Sequence, residues 1–237
     1  MNRHFGLLVL AVGGVILPGV VDAQSFQDGF DSYRTGSLIA GQGGWEVRNG
    51  NPATNATVVD IQFLSAPNSL AVSGEADIVQ QVSGLTDYWF TGVDTYVPST
   101  ASGELWFILL NRFDGGACTG TGCNWSVDVV MCASGCTTPG VNPGFATNFG
   151  GSEVPGSGSA PLVTDQWVEI VVAMRFYSNE YLVWYNGTLL DILPWTVTGD
   201  LTLAAVDLYS GGSTESYIDN IWLSPWIPVE LQSFSGG

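Results

Sequence analysis

The feature that most restricts this chain is a two-residue alternation that recurs along its length while a helical period is nearly absent. In residues 167–176, Val168, Ile170, Val172, Met174 and Phe176 fall on one face, and Trp167, Glu169, Val171, Ala173 and Arg175 fall on the other. An extended strand separates the two sets, because successive side chains point to opposite sides of a sheet. Comparable runs, rich in β-branched and aromatic residues and bounded by Gly, Ser, Asn and Thr, occupy 57–63, 69–72, 77–82, 88–97, 104–113, 124–131, 180–185, 188–193, 201–209 and 217–223. So many strands predict an all-β chain folded as two stacked antiparallel sheets. Residues 140–161, rich in Gly, Ser and Pro, read as a loop with one short strand at 145–149. Asn186-Gly187 is the preferred two-residue turn of a tight hairpin.

The alternation also sorts candidate functional side chains. Leu105, Phe107, Leu109 and Phe113 read as core, against Glu104, Trp106, Ile108, Leu110 and Arg112; Trp125, Val127, Val129 and Met131 read as core, against Asn124, Ser126, Asp128 and Val130. If these strands and 167–176 are neighbours in one sheet, their outer faces form one surface. It would carry Tyr96, Trp106, Arg112, Asp128, Glu169, Arg175 and Trp184, with Asp94 beside them.

Residues 1–23 read as a secretory signal, with Arg3 and His4 before an apolar stretch, then Pro18 and Val21-Asp22-Ala23 ahead of Gln24. The apolar stretch is shorter than the roughly 20 residues of a membrane span, so a secreted protein without a membrane anchor is expected. Residues 24–224 then form one domain, and 225–237 an edge strand or tail. In an exported chain cysteines default to disulfides. Cys123 and Cys132 flank one predicted strand and would lie about 30 Å apart, whereas a disulfide needs Cα atoms within roughly 7 Å. The expected pairs are therefore Cys118 with Cys123 and Cys132 with Cys136, each clipping a loop.

Beyond residue 23 there is no histidine and no lysine. A Ser-His-Asp relay, a Schiff-base lysine, a P-loop lysine and histidine-ligated metals are excluded within the expected mature chain. Loss of residues 1–23 removes one arginine and one acid, so the net charge stays at −17. That charge repels nucleic-acid phosphates and anionic lipid, and nucleic-acid partners are not expected.

Phe30-Asp31-Ser32-Tyr33, Gly36-Ser37-Leu38, Gly41-Gln42-Gly43-Gly44-Trp45, Tyr185-Asn186-Gly187 and Tyr217-Ile218-Asp219-Asn220-Ile221 resemble the concanavalin A-like lectin/glucanase jelly rolls of secreted bacterial proteins. The resemblance spans residues 26–224. It implies a two-sheet jelly-roll sandwich with its first and last strands adjacent, and a concave sheet that commonly receives glycans. It also implies that Asp28, Asp31 and Asp219, near the chain ends, are the candidates for a structural Ca2+; no other cofactor is required. Lectins, hydrolases, lyases and adhesive modules share the fold, so it selects no single activity.

Glu75-Ala76-Asp77-Ile78-Val79-Gln80 resembles the Glu-x-Asp-x-x-Glu strand of family-sixteen glycoside hydrolases, but Gln80 stands where the acid/base carboxyl belongs. A retaining glycosidase needs two carboxyl groups about 5 Å apart, one of them able to give and take a proton, and an amide cannot. The acids of this strand are therefore expected to face water. The sequence favours a secreted, non-catalytic protein that binds an extracellular polysaccharide through the outer-face set. A hydrolase using two of Asp94, Glu104, Asp128 and Glu169, or an adhesive protein without a glycan pocket, are the alternatives.

Overall fold

The structure, a computed structural model, describes residues 25–83, 85–115, 122–146, 153–197 and 199–225. The expected signal segment, the tail from residue 226 and Cys118 lie outside the described residues. Fifteen strands follow in chain order: β1 (Phe26–Asp28), β2 (Trp45–Val47), β3 (Thr57–Val59), β4 (Ser69–Ala71), β5 (Asp77–Gln81), β6 (Tyr88–Tyr96), β7 (Glu104–Phe113) and β8 (Cys123–Cys132). Then come β9 (Gly140–Ala146), β10 (Glu153–Pro155), β11 (Trp167–Arg175), β12 (Glu180–Tyr185), β13 (Thr188–Pro194), β14 (Ala205–Gly211) and β15 (Tyr217–Ser224). No helix among the described residues is long and apolar enough to cross a membrane.

The strands form two antiparallel sheets. An eight-stranded sheet runs β13-β12-β11-β6-β15-β4-β3, with β1 also paired to β15; a seven-stranded sheet runs β10-β9-β8-β7-β14-β5-β2. Their inner faces enclose one apolar core, to which the alternation delivers Leu105, Phe107 and Leu109 from β7, Val127, Val129 and Met131 from β8, and Val168, Ile170, Val172 and Met174 from β11. Phe26 lies opposite Leu223, so the first and last described strands are neighbours. Asn186 and Gly187 take positive φ values of 49° and 71°, as a tight hairpin turn requires.

Three expectations are corrected. First, β7 and β8 belong to the seven-stranded sheet, whereas β6, β11 and β12 belong to the eight-stranded one. Trp106, Arg112 and Asp128 are thus separated by the full thickness of the sandwich from Tyr96, Glu169, Arg175 and Trp184. Second, Trp125 and Phe113 pack on the outer face of the seven-stranded sheet with Val79, Ile108, Leu110 and Ala205. Irregularities between Leu109 and Leu110 and between Leu110 and Arg112 shift the register there, and a one-residue shift turns a side chain to the opposite face. Third, residues 140–161 contain β9 and β10 instead of a single strand at 145–149. β10, with Pro155, closes the edge of the sheet, where proline disturbs the hydrogen-bond ladder least, and β9 lies between it and β8.

Candidate functional site: a groove on the seven-stranded sheet

On the outer face of the seven-stranded sheet the register sets side chains in rows. One row runs Val79, Asp207, Ile108, Asp128 and Gly144; the next runs Asp77, Tyr209, Trp106, Val130 and Asn142. At the β7–β8–β9 side these rows open into a groove of about 250 Å³ lined by Glu104, Trp106, Asp128, Val130, Asn142 and Gly144, with walls at Thr137, Thr138, Pro155 and Gly156. The half-buried Trp106 indole stands between Trp125 and Tyr209, with ring centroids 6.5 and 6.0 Å away in edge contacts. Its Nε1–H donates to Glu104 Oε2 at 3.0 Å, which fixes the ring and aims the carboxylate together.

The groove walls are anchored. Cys132 and Cys136 form a disulfide with Cα atoms 6.1 Å apart, as expected, pinning the turn immediately before Thr137 and Thr138. Asn142 Nδ2 donates to the Thr138 carbonyl at 3.0 Å. On the other wall, Asp191 Oδ2 accepts from the backbone N–H groups of Ser157 and Gly158 at 2.7 and 2.9 Å. Burial pushes the Asp191 carboxyl up, but these bonds, with those from Ile192 and the Ser157 hydroxyl, together outweigh it and hold the group below its ordinary value. Cys123 is also disulfide-bonded; its expected pairing with Cys118 falls outside the described residues.

Beside the groove lies an ion cluster that sequence reasoning missed. Arg48 Nε meets Asp77 Oδ2 and Arg48 Nη1 meets Asp207 Oδ2, both at 3.1 Å, while the guanidinium carbon sits 5.2 Å from the Trp125 ring centroid. Asp77 is buried, not solvated as expected, and Asp207 is fully buried. Burial pushes both carboxyls up, Asp207 far up, and the Arg48 guanidinium opposes this at each. Arg48 and Asp207 are 159 residues apart in the chain, and the pairing of β5 with β2 on one side and β14 on the other brings them together. The hydrolase-like motif also fails on geometry. Glu75 is exposed ahead of β5, Asp77 points outward, and Gln80 faces inward opposite the core residue Trp45. Arg112, expected in the site, pairs instead with Asp200 at 2.9 Å on the exposed end of the sheet.

The eight-stranded sheet carries the rest of the expected set on its own outer face. Asp219, Asp94 and Glu169 are direct cross-strand neighbours on β15, β6 and β11. Burial, opposed by a bond from Asn220 and reinforced by the Asp219 charge, pushes Asp94 up to about 6. Tyr96 packs against Trp167 and Tyr217. Trp222 lies over Gly92, where any Cβ would collide with the indole. Trp184 packs in a separate cluster with Phe90, Ala173, Leu182 and Trp222. Arg175 sits over the Tyr88 ring, 5.7 Å from its centroid, away from the acids.

The structure does not bring the expected calcium ligands together. Asp28 accepts from the Tyr33 hydroxyl and Trp45 Nε1, Asp31 from the Asn68 N–H, and Asp219 from the N–H groups of Leu64 and Ser65. Asp28 is thus spent on the loop after β1, and Asp31 and Asp219 on separate points of the 60–68 loop. Among the described residues the one group of metal-type ligands within mutual reach is Glu104, Cys132 and Cys136. Its two sulfurs are already joined to each other, so it offers no metal centre.

No family model matches the sequence, and no curated protein sequence matches it. Among solved structures the chain is similar to the globular domain of T. cruzi calreticulin, with a TM-score of 0.61 and 10% identity over 90% of this chain and 94% of that one. It is also similar to an endo-beta-1,4-glucuronan lyase from the fungus Trichoderma reesei (TM-score 0.56, 12% identity, 84% of this chain and 94% of that one). A third likeness is to the carbohydrate binding module CBM66 from Bacillus subtilis (TM-score 0.51, 12% identity, 79% of this chain and 99% of that one). At these identities the likeness concerns the fold alone, a two-sheet antiparallel jelly-roll sandwich.

Proposed function

We propose that this protein is a secreted, non-catalytic carbohydrate-binding domain that holds an extracellular polysaccharide in the groove of its seven-stranded sheet. The observation that carries this reading is Trp106, a half-buried indole fixed by Glu104 beside a groove lined by Asp128 and Asn142. Sugar rings present apolar C–H faces that lie on aromatic rings, while carboxylates and amides bond their hydroxyls. A preformed, braced groove keeps the ordering cost of binding small. The likeness to a carbohydrate binding module and to a polysaccharide lyase supports the same reading.

A hydrolase is the second reading, and one observation favours it. Asp94 and Glu169 are direct cross-strand partners, which sets their Cβ atoms about 5 Å apart, and Asp94, pushed up to about 6, is able to carry a proton near neutrality. They lie on the opposite face from the groove, so the two readings separate cleanly. A polysaccharide panel scored for both retention and reducing-end release tests them. Retention lost in Trp106→Ala, without release, is the expected result; release abolished by Glu169→Gln would establish the hydrolase, and retention on no polymer would overturn glycan binding.

A further inference from the structure

Trp106 is not the last aromatic side chain in its row. We infer that the ligand is an extended chain of several sugar units laid across the strands, and that Tyr209 is a second residue that holds it; this rests on the reading of the groove as a glycan site.

The register places Asn142, Val130, Trp106 and Tyr209 opposite one another in turn on β9, β8, β7 and β14. Asn142, Val130 and Trp106 line the groove, and Tyr209 is the next side chain of the same outer-face row. Three strand spacings, about 14 Å, separate Asn142 from Tyr209. That is the reach of several sugar rings end to end and too long for one. Tyr209 meets the Trp106 ring edge-on, with centroids 6.0 Å apart. With Trp125, the two rings pack over Val79, Ile108, Leu110 and Ala205, which are fully buried on this face. The packing sets the rings in place before a ligand arrives, which keeps the ordering cost of binding small.

The Tyr209 hydroxyl is what points to a ligand. Tyr33, Tyr181 and Tyr217 donate theirs to Asp28, the Gly144 carbonyl and Glu215, and the Tyr185 hydroxyl accepts from the Val163 N–H. Tyr209 is half-buried, yet its hydroxyl makes no hydrogen bond among the described residues. A partly desolvated hydroxyl without a partner is costly to keep. A sugar hydroxyl supplies that partner while the C–H face of the same ring lies against the aromatic ring. Burial, then the charges of Glu75 and Asp77, push the Tyr209 phenol above its ordinary value against the pull of Arg48. The phenol therefore stays protonated, a donor and a poor base, as binding without chemistry requires.

The test measures, by calorimetry on the purified protein, monomers to hexamers of β-1,4-linked glucose, mannose, xylose and glucuronic acid. For a sugar that binds, affinity is expected to rise at least about tenfold from dimer to tetramer and to level off beyond. Tyr209→Ala should erase most of that rise while leaving the weaker dimer binding, held at Trp106, in place. Tyr209→Phe keeps the ring and should weaken the tetramer about three- to tenfold, the size of one hydrogen bond. Tyr177→Ala, at an exposed tyrosine outside both sheets, should change nothing. Equal losses at every length in Tyr209→Ala would mean that Tyr209 merely props Trp106, and would overturn the inference. An affinity independent of length but lost in Trp106→Ala would overturn it too, and would leave the groove a glycan site. Binding of none of these sugars at any length would remove both readings.

Discussion

The two outer faces of the sandwich use the same residue types, acids and tryptophans, and handle buried charge in opposite ways. On the seven-stranded sheet the buried acids Asp77 and Asp207 share Arg48. On the eight-stranded sheet Asp219, Asp94 and Glu169 line up across three strands without a cation in the row. The first face sets a guanidinium against the burial that raises its acids, whereas on the second burial raises Asp94 with no such cation opposing it. The tryptophans differ accordingly. Trp106 is propped edge-on beside a groove, whereas Trp222 lies flat on Gly92 and covers the sheet. An aromatic that rises from a sheet can meet a ligand, and one that lies on it serves as the sheet's cover.

That comparison can be broken most sharply at Arg48. Arg48→Met leaves two buried acids without their cation and is expected to lower unfolding stability by about 3–5 kcal/mol, measured by denaturant titration. A loss below 1 kcal/mol would mean that protonation suffices on both faces.

The second break is in the pH response. The folded value of Asp94 lies above its unfolded value near 3.8, so the native state holds a proton that the unfolded chain has released. Its contribution is fully present below pH 3.8 and is lost as pH rises through about 6. Asp94→Asn should therefore raise stability above pH 6 by about 1–3 kcal/mol and flatten the pH profile between those values. An unchanged profile would show that the acid row is solvated.

The third concerns the tryptophans. Trp106→Ala should weaken glycan retention by about ten- to a hundredfold, the usual range for a central aromatic anchor, while Trp184→Ala on the opposite face should leave it unchanged. The reverse pattern would move the site to the eight-stranded sheet. The smallest effect belongs to Arg112→Ala, whose exposed pair with Asp200 should contribute less than about 1 kcal/mol.

Most of the strands were legible because each buries one face, and alternation reports that directly. Val168 to Met174 behaves as its pattern says, as do Leu105 to Leu109. What alternation cannot report is which strands share a sheet. That is why Trp106 and Asp128 were read together with Glu169 and Trp184, from which a whole core divides them. Trp125 was misplaced for a local reason, since a register irregularity turns its side chain over without altering the sequence pattern on either side. The Arg48 cluster was hidden for a topological one. Asp207 sits in the middle of an apolar alternation, and its partners become visible only once β14 pairs with β5. The groove is half legible: Trp106, Glu104 and Asp128 stood out, but Asn142 and Gly144 lay in a stretch whose composition reads as loop.

The antiparallel pairing of Phe26 with Leu223 has a consequence for how the domain can be joined to other things. The first and last described strands lie side by side on the eight-stranded sheet, across the core from the groove. A short linker between them would close the chain into a ring, and new ends could then be opened at the exposed Asn186-Gly187 turn by circular permutation. Immobilised through residues beside β1 and β15, the domain would present the groove sheet away from the support.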